Sequence, residues 1–375
     1  MASLLEKGKL LKGLLTGERA YVGPFYATVD VTRRCNLRCP GCPYHSIETN
    51  LPLPGEKAML DISFDLFKRL CNELRAMGTR SLIITAEGEP LLHPLIFEII
   101  SKAKENGLKV TLFTNGTFLD EVRVRALIDS RLDLLRVSLW GSTPEEYAKT
   151  YPGTDPANFN KVIEGMKLMV SNKAARGTSF PFIQLYQPFT RYSFESAEDR
   201  VSLALTTRCR DLSFSPFVSL QGKSTDLVLT PDEERQLSFS LSGLRKRLKS
   251  LSISHNINET LLYYRMGKAM WERQPCYIGW LHARITADGT VLPCVRCNLS
   301  MGRLEENGFH DIWNGVEYRT FRRQTLTREG LISTGKECDC IFCCHLRDNV
   351  RVHRFFKWFS PFLRDSNKKW SESAG

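Results

Sequence analysis

Residues 29–42 read VDVTRRCNLRCPGC and contain three cysteines in the spacing Cys-x3-Cys-x2-Cys: Cys35, Cys39 and Cys42. The apolar run Tyr26–Thr32 overlaps the start of this stretch and predicts a buried strand, so the thiols stand on the loop that follows it. Three thiolates on one loop can wrap one face of a small inorganic cluster, whereas a structural zinc site usually takes four ligands. Three ligands leave one coordination position open for chemistry. The alternative is a zinc knuckle completed by His45 or a distant cysteine.

The chain around this loop alternates two kinds of segment. Short runs rich in Val, Ile, Leu and Phe predict six strands: Tyr26–Thr32, Ser81–Thr85, Lys109–Thr114, Leu134–Leu139, Phe182–Gln187 and Leu212–Val218. Stretches with helical periodicity lie between several of them: Phe64–Met77, Leu95–Asn106, Leu119–Ile128 and Phe159–Ser171. Asp61 or Ser63 is placed to cap the first helix, and Asp120 the third. This alternation predicts a parallel sheet with right-handed crossovers, and both an open doubly wound sheet and a barrel fit it.

The loop carrying Cys35, Cys39 and Cys42 resembles that of the radical S-adenosylmethionine (SAM) superfamily. The resemblance implies a [4Fe-4S] cluster on these three cysteines, with SAM chelating the fourth iron. In that family an electron from the cluster cleaves SAM to methionine and a 5′-deoxyadenosyl radical, which abstracts a substrate hydrogen. It also implies a reductant such as flavodoxin or ferredoxin. The cofactor carries the difficult chemistry, and the protein positions and tunes it.

Residues at the ends of later strands extend the resemblance. Gly88-Glu89-Pro90 follows the second predicted strand and resembles the family's segment that binds the amino group of SAM. A glycine allows close backbone approach to a ligand, and a carboxylate suits an ammonium group. A plain strand-to-helix turn is the alternative. By their positions, Asn115 after strand three and Ser138 on strand four are implied as further SAM contacts.

The cysteine loop, the Gly-Glu-Pro segment and the turn at Asn115 each follow a predicted strand. Barrel enzymes build their sites from loops at this carboxyl-terminal face of the sheet. We therefore predict an α/β fold with a partial (β/α)6 TIM-like barrel, followed by a small hairpin-plus-helix domain at the C-terminal end.

That second domain is predicted from seven further cysteines: Cys276, Cys294, Cys297, Cys338, Cys340, Cys343 and Cys344. Asp288-Gly289 predicts a hairpin between Ala283–Ala287 and Thr290–Leu292, which folds the chain back and brings Cys276 near Cys294. A helix is predicted over His310–Gln324. Four thiolates from this group suffice for a closed metal site, and a structural zinc ribbon fits as well as an iron–sulfur cluster.

The pattern Cys-x12-Gly-x4-Cys with a later Cys-x2-Cys resembles the SPASM/twitch-type extension of radical SAM enzymes. The resemblance implies an auxiliary [4Fe-4S] cluster on Cys276, Cys294, Cys340 and Cys343. One auxiliary cluster is favoured over two, with Cys297, Cys338 and Cys344 as alternative ligands. Cys71 and Cys209 stand alone in the sequence and are interpreted as inert buried thiols.

The composition narrows the class of protein. The chain has 375 residues, 42% of them apolar and 25% charged, which excludes a disordered, collagen-like or polytopic membrane protein. Neither a secretory h-region nor an apolar run long enough to span a membrane is present, so we predict a cytoplasmic protein. Its 12 cysteines then suggest metal ligation more than disulfides.

The formal net charge is +11, and residues 347–375 contribute about a third of it, with seven Lys or Arg against three Asp or Glu. Aromatic residues recur in this tail at helical spacing: Phe355, Trp358, Phe359 and Phe362. Basic residues beside aromatics suggest peripheral contact with a membrane, but docking on the barrel is favoured. Basic charge also suits a phosphorylated or carboxylated substrate. No motif indicates nucleic-acid binding.

These features divide the chain into five parts: a basic segment (1–25), the radical SAM core (26–225), a helical connector (226–270), the auxiliary cluster domain (271–346) and the tail (347–375). We expect net oxidation or modification of a small polar metabolite or sugar derivative, because the 34 residues before Cys35 leave no room there for a leader-peptide-binding domain. A peptide or protein maturase of the same superfamily is the alternative. A non-catalytic zinc or iron–sulfur scaffold or electron carrier is the alternative from another class.

Overall fold

The computed structural model describes residues 4–42, 44–46, 59–219, 224–267, 270–335, 337–340 and 343–359. Its strands in chain order are β1 Tyr26–Asp30, β2 Ser81–Thr85, β3 Lys109–Thr114, β4 Leu134–Ser138, β5 Phe182–Phe189, β6 Asp211–Pro216, β7 Ser254–His255, β8 His282–Ile285, β9 Thr290–Leu292 and β10 Gly302–Arg303. Its helices are α1 Leu4–Thr16, α2 Phe64–Ala76, α3 Ile96–Glu105, α4 Glu121–Asp129, α5 Pro144–Thr150, α6 Ala157–Ala175, α7 Ala197–Thr206, α8 Pro231–Ser250, α9 Ile257–Met266, α10 Phe309–Trp313, α11 Val316–Thr325, α12 Arg328–Thr334 and α13 Leu346–Phe359.

All these strands belong to one sheet in the order β10-β9-β8-β1-β2-β3-β4-β5-β6-β7. Strands β1 to β7 run parallel, each beside the next along the chain. In the described residues β7 and β10 are edge strands, so the sheet is not closed. The predicted partial barrel is confirmed.

Successive residues of each strand point to opposite faces of the sheet, as in a barrel. One side packs on the helices and is fully buried: Leu82, Ile84, Val110, Leu112, Leu135, Val137 and Leu185. The other side faces the lumen and includes polar and aromatic residues that are partly exposed: Thr111, Phe113, Arg136, Gln184, Tyr186 and Ser215. The lumen is therefore an accessible space and not a packed core.

The six predicted core strands and the four predicted helices all form, with ends shifted by up to four residues. Of the two caps considered for α2, it is the Ser63 hydroxyl that accepts from the Leu66 amide, and Asp120 caps α4. The helix predicted over His310–Gln324 is instead two helices. It breaks at Asn314, whose side-chain amide bonds both the N–H and the C=O of Ala20 at 3.0 and 3.1 Å.

The C-terminal hairpin extends the barrel sheet, which the sequence did not predict. Strand β8 pairs in parallel with β1 and then turns through Asp288-Gly289 into antiparallel β9. The cysteines that follow this hairpin are thus anchored to the first barrel strand.

The final helix α13 packs beside this hairpin region. The side-chain oxygen of Asn349 accepts from the Tyr277 backbone N–H at 2.7 Å, and the buried Phe356 ring packs edge-on against Tyr277. This contact favours docking for the start of the tail. Phe362 lies outside the described residues, as do the side chains of Trp358 and Phe359. Among the described helices, none has the length and apolar character needed to cross a membrane.

Candidate active site

The cysteine loop packs directly on the Gly-Glu-Pro segment after β2. The Glu89 amide donates to the Arg34 carbonyl at 2.7 Å, immediately before Cys35. A Cβ atom at Gly88 would lie 2.0 Å from that same carbonyl oxygen, so a side chain at position 88 would displace the loop. Glycine is required here by the close approach of two backbones.

Burial raises the pKa of the three loop thiols, that of Cys35 to about 12. The neighbouring cysteines raise the pKa of Cys39 further, because like charges at close range disfavour each other. Backbone N–H groups nevertheless point at two of the sulfurs: Leu37 donates to Cys35 at 3.5 Å, and His45 to Cys42 at 3.3 Å. Such sites hold thiolates when a metal cation compensates their charge. The donor set fits an iron–sulfur cluster.

Glu89 is buried where β2 and β3 end. Its carboxylate accepts from the Thr114 hydroxyl and the Asn115 amide, each at 2.7 Å, and from the Leu91 amide at 3.1 Å. Burial raises its pKa to about 7, although these hydrogen bonds act in the opposite direction. Lone pairs on the carboxylate stay free for a further donor.

The other two sequence-predicted SAM contacts also lie at this end of the sheet. The Asn115 side chain donates to the side-chain oxygen of Asn36 at 2.9 Å and accepts from the Thr117 backbone N–H, so it connects the end of β3 to the cysteine loop. The Ser138 hydroxyl accepts from the Trp140 indole N–H at 3.0 Å. The hydrogen bonds of Asn115 therefore hold the cysteine loop against the end of β3.

Charged residues that the sequence did not single out join the cysteine loop to the C-terminal hairpin. Arg33 forms ion pairs with Glu87 and, at 3.0 Å, with Asp288 of the hairpin turn. Arg284 of β8 donates to Asp30 of β1 at 2.6 Å and to the Tyr44 hydroxyl at 3.1 Å. The sequence did show an aspartate, Asp30, at the end of the otherwise apolar strand β1. Its partner Arg284 is distant in the chain and could be identified only from the structure.

A second group of thiols lines one cavity between the hairpin and α13: Cys276, Cys294, Cys340, Cys343 and Cys344. Asn349 of α13 donates to the sulfurs of Cys343 and Cys276, at 3.5 and 3.8 Å. The structure thus brings together the four predicted auxiliary ligands and adds Cys344. Five thiols in one cavity fit a four-thiolate cluster.

Within this group, Cys294 and Cys344 are close neighbours, with their sulfurs 3.8 Å apart. The hydrogen bond between these two thiols lowers the pKa of Cys294 and raises that of Cys344. The ligating atoms of Cys294, Cys344 and His345 all lie within 4.8 Å of one another. The choice between adjacent Cys343 and Cys344 thus stays open on geometry.

The remaining four cysteines are either joined in a disulfide, which also lines the auxiliary cavity, or buried in the core. Cys297 and Cys338 face each other across an isolated antiparallel bridge and form a disulfide. They are therefore paired with each other, although the sequence had suggested metal ligation more than disulfides. Cys71 and Cys209 are buried in the core, as the sequence interpretation expected.

A lumen cavity of about 420 Å³ is lined by residues of both the cysteine loop and the auxiliary group. Gly41 of the cysteine loop and Trp140 line one part of it, and Cys344 and Arg296 line another. Strands β3 to β6 contribute aromatic and polar side chains to the wall, among them Phe113, Arg136, Tyr186 and Ser213. The volume is that of a site for a small molecule or for one large side chain.

Comparison with known families accounts for both thiol groups. Residues 29–182 match the radical SAM superfamily, and residues 276–343 match the SPASM iron–sulfur cluster-binding domain. The chain belongs to the radical SAM superfamily. Its cofactors are accordingly SAM, the [4Fe-4S] cluster that cleaves it, and an auxiliary cluster in the SPASM domain.

Similar proteins differ in the reactions their names describe. The chain is 27% identical over 333 residues to a PqqA peptide cyclase of Ruegeria pomeroyi. This alignment covers 86% of this chain and 81% of that protein. The chain is 24% identical over 310 residues to an AdoMet-dependent heme synthase of Methanosarcina barkeri, covering 77% and 81%. Streptococcus suis SuiB, solved with bound S-adenosylmethionine, superposes with a TM-score of 0.62 at 15% identity, over 84% of this chain and 71% of SuiB. This last likeness concerns the fold.

Proposed function

We propose that this radical SAM enzyme abstracts a hydrogen from a substrate bound in the lumen cavity and that the auxiliary cluster accepts an electron from the resulting substrate radical. The net reaction is then an oxidation. The observation that carries this proposal is the position of the cavity, because one space is lined by Gly41 of the cysteine loop and by Cys344 of the auxiliary group. A substrate held there lies between both redox sites.

In this proposal Cys35, Cys39 and Cys42 hold the first cluster, which supplies the electron for cleavage of SAM. Gly88, Glu89 and Pro90 bind the SAM amino group, and the buried Glu89 carboxylate accepts from it with a lone pair that Thr114 and Asn115 leave free. Ser138 lies at the same sheet end as a further contact. Cys276, Cys294, Cys340 and Cys343 hold the auxiliary cluster.

Aromatic side chains shield the cavity beside the cysteine loop. The Trp140 ring packs against Phe217 and Tyr151, with centroids 5.7 and 6.2 Å apart. Phe217 in turn contacts Gly41, where an added Cβ would lie 2.4 Å from its ring. Excluding water in this way protects a reactive intermediate from side reactions.

Of the two substrate classes left open by the sequence, we favour a peptide over a small polar metabolite. The alignment with a peptide cyclase over 86% of this chain supports this choice. A cavity of about 420 Å³ accepts one or two side chains of a peptide whose remainder lies outside. A small metabolite of similar size is the second candidate, because it would also fill this volume.

Anaerobic reconstitution followed by SAM turnover tests the proposal. We expect a coloured protein with labile sulfide that produces 5′-deoxyadenosine when reduced. The triple change Cys35→Ala, Cys39→Ala, Cys42→Ala should abolish that product, while Cys71→Ala, a buried thiol outside both groups, should retain it. A colourless protein with about one zinc per site would instead indicate the scaffold alternative.

A further inference from the structure

Arg136 on β4 is partly exposed to the lumen and differs from two fully buried arginines, Arg200 and Arg322, in having no carbonyl partner. Arg322 donates to the backbone carbonyls of Gly279 and Glu18, at 2.8 and 3.1 Å. Arg200 donates to the Ser193 carbonyl at 2.9 Å. Arg200 and Arg322 also have a buried nitrogen without a partner and, among the described residues, no ion pair. Arg136, by contrast, makes neither a side-chain hydrogen bond nor an ion pair within the described part of the chain, and it lines the lumen cavity.

No carboxylate forms an ion pair with Arg136 in the part of the chain that the structure describes. Its guanidinium lies over the Phe113 ring, 4.6 Å from the centroid. Asp211 interacts with Arg136 electrostatically without forming an ion pair, and its carboxylate accepts from the Gln184 amide at 2.9 Å. By contrast Arg296, which lines the same cavity, is paired with Asp339. Of the two arginines that line this cavity, Arg136 is the one without an ion pair in the described part of the chain.

A guanidinium that has neither a carbonyl nor a carboxylate partner keeps its N–H donors free for an anion that enters the cavity. The guanidinium fork matches a carboxylate, to which it can donate two parallel hydrogen bonds. A phosphate dianion would call for more positive charge than this one arginine. The neighbouring walls are aromatic or neutral: Phe113, Trp140, Tyr186, Ser213 and Asn256.

We propose that Arg136 binds a carboxylate of the substrate, which is therefore an organic acid whose carboxylate stands beside an aromatic or aliphatic portion. The carboxylate belongs either to an acidic peptide side chain or to a free acid, and both present the same chemistry to the arginine. This inference rests on the proposed function for its site, since it assigns the lumen cavity to the substrate. Arg136 is then a specificity-determining residue that the sequence did not reveal.

Calorimetric titration of the anaerobically reconstituted enzyme with SAM present tests this directly. The probes are 4-hydroxyphenylacetate and its uncharged analogue 4-hydroxyphenylacetamide. We expect the wild type to bind the acid at least about tenfold more tightly than the amide, since the amide lacks the anion. Arg136→Gln should bring the ratio close to one, and Arg136→Lys should retain part of it. Arg125→Gln, which changes an exposed arginine on α4, is the matched control and should keep the full ratio.

Two further probes define the source of the anion. Tighter binding of an acetylated and amidated Glu-Tyr dipeptide than of the free acid would support a peptide carboxylate, and the reverse order would support a free acid. Tighter binding of inorganic phosphate than of either carboxylate would overturn the proposal. So would equal affinities of the wild type for acid and amide, absence of acid binding, or an unchanged ratio in Arg136→Gln.

SAM turnover separates this inference from the proposed function. Arg136→Gln should still produce 5′-deoxyadenosine, with the KM for SAM changed by less than about threefold. A large rise in that KM would assign Arg136 to the SAM carboxylate and refute a substrate role. If the wild type cleaves no SAM, the proposed function fails, whereas the acid-to-amide ratio still reports on Arg136.

Discussion

The Arg284 guanidinium donates to the Asp30 carboxylate at 2.6 Å, although 254 residues separate them in the chain. Both side chains are buried, and Asp30 also accepts from the Thr85 hydroxyl at 2.7 Å. Arg284 donates in addition to the Val295 carbonyl at 3.1 Å, one residue after Cys294. The pair thus connects the strand leading to the cysteine loop with the chain that carries an auxiliary thiol.

Breaking this pair should destabilise the protein strongly. Asp30→Asn leaves the Arg284 guanidinium buried without a carboxylate, and Arg284→Met leaves Asp30 unpaired. We expect each to lower the free energy of unfolding by about 3–5 kcal/mol, measured by urea denaturation. The double variant should lose less unfolding free energy than the two single variants lose together, because it leaves neither charge buried without its partner. Additive losses would contradict this, and Arg303→Gln, at an exposed ion pair, should change little.

Gly88→Ala should disrupt the first cluster. The new methyl group would meet the Arg34 carbonyl at 2.0 Å and push the cysteine loop away from β2. We expect iron content to fall and 5′-deoxyadenosine production to drop at least about tenfold, as for other losses of positioning. Gly243→Ala in α8 is the control: nothing lies within 4 Å, and a helical alanine should stabilise by about 0.5–1 kcal/mol. Full activity of Gly88→Ala would refute the packing argument.

Glu89 should make stability fall as pH rises. Its pKa is about 7 in the folded protein, above the ordinary 4.5, so the folded state holds the extra proton between these values. The stabilising contribution is present below about pH 4.5 and is lost as pH rises through 7. We compare the free energy of unfolding of the wild type with that of Glu89→Gln at each pH. The wild-type value minus the variant value should fall by up to about 3 kcal/mol over this range. Urea titrations at several pH values measure it. Glu105→Gln on the surface is the control, and a constant difference for Glu89→Gln would contradict the prediction.

The barrel could be predicted from sequence because its evidence is local. Each core strand is an apolar run, each following helix has its own periodicity, and polar motifs such as Gly88-Glu89-Pro90 mark the strand ends. The pairing of β8 with β1 could not be predicted, because it joins His282 to Tyr26 across most of the chain. No local pattern specifies such a contact.

The candidate site likewise combines features that could be predicted from the sequence with features that could not. Cysteine spacing predicted the first thiol group, because its ligands lie on one loop, whereas the hairpin signal and the resemblance to a SPASM/twitch-type extension predicted the second. The cavity wall came from the structure, because Arg136 in sequence is a charged residue inside a strand and nothing adjacent shows that it lacks a counterion. Likewise the pairing of Cys297 with Cys338 depends on a bridge between distant segments.

The auxiliary thiols should be separable from the first cluster by iron counting. Cys276→Ala and Cys340→Ala should each remove about four iron atoms per chain, spare 5′-deoxyadenosine formation and abolish product turnover. Cys297→Ser and Cys338→Ser serve as matched controls and should retain the iron, because these two sulfurs bond each other. Full product turnover in Cys276→Ala would exclude a working auxiliary cluster.

The adjacent Cys343 and Cys344 pose a sharper test. The SPASM match ends at Cys343, and Asn349 donates to the Cys343 sulfur at 3.5 Å as well as to that of Cys276. Hydrogen bonds to ligating sulfurs tune the potential of a cluster, which favours Cys343 as the ligand. Cys344 lines both the auxiliary and the lumen cavity. We therefore expect Cys343→Ser to lose auxiliary iron or to alter its electron paramagnetic resonance spectrum, while Cys344→Ser keeps both. The opposite result would make Cys344 the ligand and shift the cluster toward the substrate.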